Sequence, residues 1–382
     1  MISCGEPSGD LYAAALAREL RDLDPGVELS GFGGERLRAA GADLVGDFGG
    51  LSVTGLLEVA RVLPRTYATY RRLVAHAAAA RPAVFVAIDF PDFNFRLARA
   101  VGALGVPVVY YIGPQLWAWR PGRMKTMRRI AGRVLVIFPF EEALYREAGM
   151  AVEWVGHPLL DLARPAEPRA AFLARQGLDP GKPVVALLPG SRRNEVRQIL
   201  PDLVDAVRVI RARQPGLQVV LARAPHLPDA VFAPAMAPGA GLPAIRIVEG
   251  AADTVLAAAD LALVASGTIT VQAALHECPM VVVYRLSPIT YRIGRPFVRV
   301  DTFAMANLVA GRRVVPELIQ GDFTPDAVAR EALALLTDRD ASARMRADLR
   351  AVRAKLGPPG ASRRAAEAVL QAARAGLAPA ME

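Results

Sequence analysis

Short runs of apolar and β-branched residues alternate along this chain with longer runs in which Ala, Leu and Arg recur at helical spacing. The apolar runs are VELSGFG (27–33), AVFVAID (83–89), VPVVYYIG (106–113), RVLVIF (133–138) and VEWVG (152–156). A second set comprises PVVALLPG (183–190), LQVVLARA (217–224), IRIVEG (245–250), LALVAS (261–266) and PMVVVYR (279–285). Strands that are apolar throughout, rather than alternating, are buried on both faces, and their alternation with helices builds parallel sheets. The stretch GHPLLDLARPAEPRAAFLARQGLDPGKP separates the two sets and reads as a linker followed by a short helix. The expected fold is α/β: two Rossmann-like domains, residues 1–160 and 161–350, facing a cleft, with a helical segment at 351–382. Within that segment SRRAAEAVLQAARAGL (362–377) is amphipathic and either returns to the first domain or is swapped onto a partner subunit.

Composition narrows this picture. At 382 residues the chain exceeds one ordinary core, in agreement with two domains. With 53% hydrophobic and 22% charged residues it is globular rather than disordered. Cys4 and Cys278 are the only cysteines, which suggests free thiols in a reducing compartment. No apolar run reaches the roughly 18–20 residues that span a bilayer, and the N-terminus lacks a secretory pattern, so a cytoplasmic protein is expected. The net charge of +9 favours anionic partners: phosphorylated substrates, a lipid surface or nucleic acid.

Polar residues interrupt the pattern at several strand ends, and there the candidate chemistry lies. CGEPSGDLYAAALARELR (4–21) sets Gly5, Glu6, Ser8, Gly9 and Asp10 in a tight turn before a helix. Ser8 or Asp10 can cap that helix, and such a loop at the carboxyl end of a parallel sheet also suits a ligand. So little chain precedes the turn that a minimal first strand is expected. GFGGERLRAAG (31–41) resembles a dinucleotide loop, but its third glycine position is Arg36, against a nicotinamide cofactor. AIDFPDFNFRLA (87–98) places Asp89, Asp92 and Asn94 after a buried strand, with Pro91 fixing the turn. One of these can cap a helix; a second carboxylate exceeds that need and could take a proton from a substrate hydroxyl.

YYIGPQLWAWRPGRMKTMRRIAGR (110–133) contains Trp117, Trp119, Arg120 and Arg123, then Lys125, Arg128, Arg129 and Arg133 on roughly one helical face. That face is either simply solvated or binds phosphate or lipid headgroups. GGLSVTGLLEVARVLPRTYATYRRL (49–73) is too apolar for one buried stripe and carries Arg61, Arg65, Arg71 and Arg72 close by. It suits either a well-buried helix or a membrane surface. LLPGSRRNEVRQILP (187–201) and VASGTITVQAAL (264–275) are both strand–turn–helix units. Backbone amides near Ser191 and at Ser266, Gly267 and Thr268 could face phosphate, with Arg192 adding charge. Two such turns in one domain suit a diphosphate. Asn307 could face the cleft, and His157 reads as structural.

GEPSGD, IDFPDFN, LWAWR, FPFE, VGHP, LLPGSR, ASGT, CPMVVVYR and ANLVAGR occur in the order found in lipid-A-disaccharide synthases. Over nearly its whole length the chain resembles that family of GT-B glycosyltransferases, whose two Rossmann-like domains match the pattern above. The resemblance implies transfer from UDP-2,3-diacylglucosamine to 2,3-diacylglucosamine 1-phosphate (lipid X), with inversion, giving a β-1,6-linked disaccharide 1-phosphate and UDP. It implies no cofactor or metal, a peripheral position on the cytoplasmic face of the inner membrane, no nucleic-acid partner, and room for a homodimer. Carried over by motif, Asp92 is the candidate base for the acceptor 6-hydroxyl, with Asp89, Asn94, Trp119 and Arg120 nearby in the substrate-binding set. Glu6, Ser8 and Asp10 match the first loop, on the acceptor side. Ser191 and Arg192 match the donor-side GSR, and Asn307 matches the asparagine of N-L-L/V-A-G. Gln272 departs from the family, which has Glu there in S-G-T-x-x-L-E, a residue that bonds the donor ribose in related enzymes. Gln keeps hydrogen-bonding capacity but loses the charge.

Two other readings share part of this pattern. A UDP-sugar 2-epimerase or a peptidoglycan-type glycosyltransferase would have similar phosphate turns but not this order of motifs. A basic nucleic-acid-binding protein would share the charge, yet no recognition helix or RNA-binding motif occurs and Arg is spread over both domains.

Overall fold

The apolar runs become the strands of two all-parallel sheets in the computed structural model, which describes residues 1–49, 56–114, 116, 121–236, 244–286 and 302–376. Among these residues the chain forms two compact units: Met1–Leu160 with the segment from Leu356, and Asp161–Lys355.

In the first unit β1 (Ile2–Cys4), β2 (Ser30–Gly33), β3 (Asp43–Asp47), β4 (Phe85–Ile88), β5 (Val108–Tyr111), β6 (Arg133–Val136) and β7 (Val152–Trp154) pair in the order β3-β2-β1-β4-β5-β6-β7. The minimal first strand does form, and its central place lets Ile2 pair with both Gly31 and Val86. Connecting helices are α1 (Pro7–Leu23), α2 (Glu35–Ala39), α3 (Leu56–Ala80), α4 (Pro91–Gly102), α5 (Met124–Ile130) and α6 (Pro139–Glu147). Leu73 and Ala77 of α3, Leu97 and Val101 of α4, and Met127 of α5 join Phe85, Val108, Tyr110 and Val134 in one buried cluster.

The second unit orders β8 (Val184–Leu188), β9 (Gln218–Arg223), β10 (Ile245–Glu249), β11 (Leu261–Ala265), β12 (Met280–Tyr284) and β13 (Glu317–Ile319) as β10-β9-β8-β11-β12-β13. Its helices of more than four residues are α7 (Arg169–Gln176), α8 (Arg193–Arg213), α9 (Ala252–Ala258), α10 (Ile269–Leu275), α11 (Met305–Ala310), α12 (Pro325–Thr337) and α13 (Arg339–Lys355). Helices α8 and α12 cover one face with Val196, Ile199, Leu203, Val207, Val328 and Ala332.

The last helix, α14 (Ala361–Ala375), packs on α1 of the same chain. Both helices bury alanines, Ala13, Ala14 and Ala17 on one and Ala361, Ala365, Ala368 and Ala372 on the other. Small side chains let the two axes approach closely. Arg364 Nε also donates to the Val155 carbonyl at 2.9 Å, tying α14 to the end of β7.

Each sheet changes direction once. The chain runs from β1 out to β2 and β3, then returns to place β4 on the other side of β1; β8, β9, β10 and β11 repeat the move. The crevice at the carboxyl ends of β1 and β4, and that at β8 and β11, are therefore topological switch points, where open parallel sheets take their ligands. No helix among the described residues is long and apolar enough to cross a membrane.

Candidate active site

At the first switch point Cys4 pairs with Ile88, so the GEPSGD turn and the DFPDFN turn leave the sheet side by side. They touch: a Cβ on Gly5 would lie 2.2 Å from the Phe90 ring, so only glycine admits that ring. Asp89 and Phe90 both have left-handed backbones, with φ of 46° and 50°, and Ile112 at the end of neighbouring β5 has φ of 60°. Non-glycine residues in this region are strained, and Ile, being β-branched, is more so. Three of them meet at the carboxyl edge of two adjacent strands.

Asn94 holds the strained turn. Its Nδ2 donates to the carbonyls of Ser3 at 3.2 Å, Ile88 at 3.1 Å and Asp89 at 2.8 Å, and its Oδ1 accepts from the Ser3 hydroxyl at 2.7 Å. Tyr110 donates its hydroxyl to the Asp89 carbonyl at 2.7 Å. Burial, aided by the charge of Asp89, pushes the Tyr110 phenol well above its ordinary value and keeps it a proton donor. Asn94, expected to bind substrate, is instead fully buried with its amide spent on the turn.

The same turn sets up Asp92. Pro91 opens α4 at a position where a missing N–H costs nothing, and Asp92 follows in the first turn. Its side chain is 75% exposed and forms an ion pair with Arg123 at 2.5 Å. The Arg123 guanidinium also lies over the Phe95 ring, 5.9 Å from its centre. The result is an accessible carboxylate on a rigid mount, able to accept a proton from a hydroxyl. Asp89 is half-buried beside it.

Across the crevice Glu6 occupies the N-cap position of α1 and Ser8 its first turn, both half-buried. Asp10 does not cap its own helix. Its carboxylate accepts from the backbone N–H groups of Gly34 at 2.8 Å, Arg36 at 3.0 Å and Leu37 at 3.1 Å, and so caps α2. Gly34 of GFGGE serves this contact: a Cβ there would sit 2.6 Å from the carboxylate. Trp119 and Arg120 lie outside the described residues, as do 50–55 of the apolar stretch. The visible part of α3 exposes Leu63 and Tyr67. On α5, Lys125, Arg128 and Arg129 face solvent while Met127 and Ile130 are buried, as their spacing predicts, but the helix stops at Ile130, so Arg133 opens β6 instead of extending that face.

At the second switch point Leu188 of β8 pairs with Val264 of β11, which brings the PGSR and ASGT turns together. Gly190 has φ of 119°, and a Cβ there would lie 2.2 Å from Glu195 Oε2. Ser191 is fixed on both sides: its N–H donates to Glu195 at 3.2 Å, and its carbonyl lies 2.8 Å from His226 Nε2. Sequence reasoning misses His226, since a lone His in RAPHLP carries no signal. Arg192 is the N-cap residue of α8. Gly267 has φ of 148° with open space where a side chain would be, and Thr268 precedes α10. The Ser266 hydroxyl donates to the Phe303 carbonyl at 3.0 Å.

Asn307 does not offer its amide outward. It is buried; Nδ2 donates to the Val315 carbonyl at 3.0 Å and to Glu317 at 2.5 Å, while Oδ1 accepts from the N–H groups of Val314 at 2.7 Å and Val315 at 2.9 Å. Glu317 in turn accepts from the N–H groups of Phe303 and Ala304. The ANLVAGR motif thus braces the segment that receives Ser266. Gln272 donates its Nε2 to both carboxylate oxygens of Asp253, at 3.0 and 3.1 Å.

A family model described as lipid-A-disaccharide synthetase matches residues 1–372. The lipid-A-disaccharide synthase of Koribacter versatilis is 46% identical over 379 residues, 98% of each chain. That of Myxococcus xanthus is 44% identical over 371 residues, covering 97% of this chain and 96% of the other. Among solved structures, the UDP-GlcNAc 2-epimerase from Neisseria meningitidis bound to UDP-GlcNAc matches with a TM-score of 0.69 at 12% identity, covering 97% and 98% of the two chains. A calicheamicin glycosyltransferase matches with a TM-score of 0.60 at 18% identity, covering 97% and 96%. Epimerase and glycosyltransferase share this fold, so the fold does not separate them; full-length sequence similarity does. With both motif-bearing turns of each sheet at its switch point, and the family pattern running through them in order, this chain belongs to the lipid-A-disaccharide synthetase family of glycosyltransferases.

Proposed function

We propose that the chain transfers the 2,3-diacylglucosaminyl group of UDP-2,3-diacylglucosamine to the 6-hydroxyl of 2,3-diacylglucosamine 1-phosphate, releasing UDP. Family membership supports the reaction, and one structural observation supports the division of labour: each sheet brings two motif-bearing turns together at its switch point. The first unit takes the acceptor and the second the donor.

In this reading Asp92 accepts the proton of the acceptor hydroxyl as its oxygen attacks the anomeric carbon. A single displacement inverts that centre. The bond to the UDP oxygen breaks, and the charge that gathers on the diphosphate meets the backbone amides of the Ser191 and Gly267 turns together with Arg192. Asn94 and Tyr110 touch neither substrate; they keep the mount of Asp92 rigid.

The protein works as a peripheral protein on the cytoplasmic face of the inner membrane. Exposed Leu63 and Tyr67 on α3 give apolar contact, and Arg65, Arg71, Arg72, Lys125, Arg128 and Arg129 give charge for acidic headgroups. The test is UDP release with both substrates and with each alone. Release that requires lipid X supports the reading; steady release without it overturns it. Asp92→Asn should lower kcat by roughly 10²–10⁴-fold with UDP affinity unchanged.

A further inference from the structure

We infer that Asp253 is a positioning residue: it fixes which way the Gln272 amide points, so that the second unit presents a bare oxygen acceptor to the ribose of a bound nucleotide. The inference rests on the donor-site reading above and adds the group that sets its ribose specificity.

Gln272, midway along α10, and His276, its C-cap residue, stand four residues apart and share one face, opposite the first turn of α9. Asp253 projects from that turn between them. Its Oδ1 accepts from Gln272 Nε2 at 3.0 Å and from His276 Nε2 at 2.9 Å, and its Oδ2 accepts again from Gln272 Nε2 at 3.1 Å. The His276 side chain is 8% exposed and that of Asp253 23%, so the cluster is built into the packing between α9 and α10.

The chemistry of the pair decides the orientation. An ionised carboxylate has no proton to donate, so only the NH₂ end of the Gln272 amide can face it. Oε1 is thereby turned away from Asp253, and it has no hydrogen-bond partner among the described residues. Gln272 is four residues beyond Thr268, about 6 Å along the helix axis from the turn that faces phosphate. In a nucleoside diphosphate the group next to the phosphates is ribose, whose 2′- and 3′-hydroxyls are donors that seek an acceptor. A freely rotating glutamine would offer either end; the carboxylate behind it leaves only oxygen. The negative charge absent at position 272 stands one residue back, at position 253.

The experiment is calorimetric titration of the full chain with UDP, 2′-deoxy-UDP and 3′-deoxy-UDP, alongside thermal unfolding of each variant. Wild type should prefer UDP to at least one deoxy analogue by roughly tenfold, the worth of one hydrogen bond. Asp253→Asn should bring that ratio close to one, because Asn offers both a donor and an acceptor and lets the Gln272 amide face either way. Gln272→Met, which keeps Asp253 and His276 joined, should lose the preference equally. Gln272→Glu sets two carboxylates against each other and should weaken UDP by at least roughly tenfold. The double variant Asp253→Asn/Gln272→Glu should regain both affinity and preference, since the Asn amide can now donate to the Glu. A ratio unchanged in Asp253→Asn, or a double variant no better than Gln272→Glu, overturns the inference while the donor site stands. Wild type that binds UDP without ribose discrimination does the same, and wild type that does not bind UDP overturns the donor site itself.

Discussion

His157 offers the most direct quantitative check of the first unit's packing. Its ring is buried between Tyr12 and Phe138, with ring centres 6.2 and 5.2 Å away. Nδ1 accepts from the Leu159 N–H at 3.2 Å, so in the neutral ring the proton sits on Nε2. Burial lowers its pKa from 6.5 to about 3. The unfolded chain therefore binds a proton near pH 6.5 that the folded chain refuses until about pH 3. Stability from this group is fully present above pH 6.5 and drains away as pH falls through that window. Each pH unit below 6.5 favours the unfolded chain by about 1.4 kcal/mol, so the loss between pH 7 and pH 5 is about 2 kcal/mol.

The comparison is with His157→Asn, whose Oδ1 can still accept from Leu159 but which does not titrate. All three tryptophans, Trp117, Trp119 and Trp154, fall within Met1–Leu160, so urea unfolding followed by tryptophan fluorescence reports on the first unit. At pH 7 wild type should be the more stable, because the shorter side chain leaves part of the ring's space empty. At pH 5 the gap should narrow by about 2 kcal/mol, or about 1 M in urea midpoint. Acid effects on other groups are common to both proteins and cancel. A gap that stays constant between pH 7 and pH 5 would refute the reasoning.

Asp10→Ala should destabilise the first unit by roughly 2–4 kcal/mol in urea, because it orphans three backbone donors at the start of α2. Unchanged stability with lost turnover would return Asp10 to the substrate. Gly190→Ala should weaken UDP at least roughly tenfold by calorimetry, since the backbone is left-handed and the added carbon meets Glu195; Gly267→Ala, with open space around it, should meet backbone strain alone and lose less. Equal losses would count against this difference. Replacing Leu63 and Tyr67 with Ser should reduce recovery on acidic lipid vesicles at unchanged melting temperature. Unaltered partitioning would remove α3 from the membrane contact.

The pattern of apolar runs was enough to locate the strands that fill both cores. The strands it did not reveal were β3 and β13, both at sheet edges. Asp43 and Asp47 bracket β3, and β13 is three residues long behind Pro316, so neither carries a continuous apolar run. The candidate sites were legible as places, because Gly, Pro, Ser and Asp cluster at strand ends. Individual roles were less so. Asp10, Asn94 and Asn307 have the same polar look as a ligand contact, but burial and partners from distant strands decide their use, and spacing along the chain does not encode those partners. Asp253 and His226 gave no local signal, since each acts on a residue from another βα unit.

The motif DFPDFN shows how such residues divide. Asp89 and Phe90 occupy left-handed backbone at a cost of about 1–3 kcal/mol each, which no isolated loop would sustain. Four hydrogen bonds of Asn94 and one of Tyr110 offset that cost, and Gly5 leaves room for the Phe90 ring. What the strain obtains is position: α4 starts abruptly beside the switch point, with Asp92 in its first turn where the helix end favours a carboxylate. In the proposed reaction Asp92 is the member that meets solvent for chemistry, while Asn94 and the left-handed Asp89 and Phe90 fix where it stands. The second unit repeats the arrangement, with Glu195 and His226 fixing Ser191, and Asn307 and Glu317 bracing the segment bonded to Ser266. A motif of this kind is a rigid mount together with its reactive group, so loss of a buried member should reduce turnover as surely as loss of the exposed one.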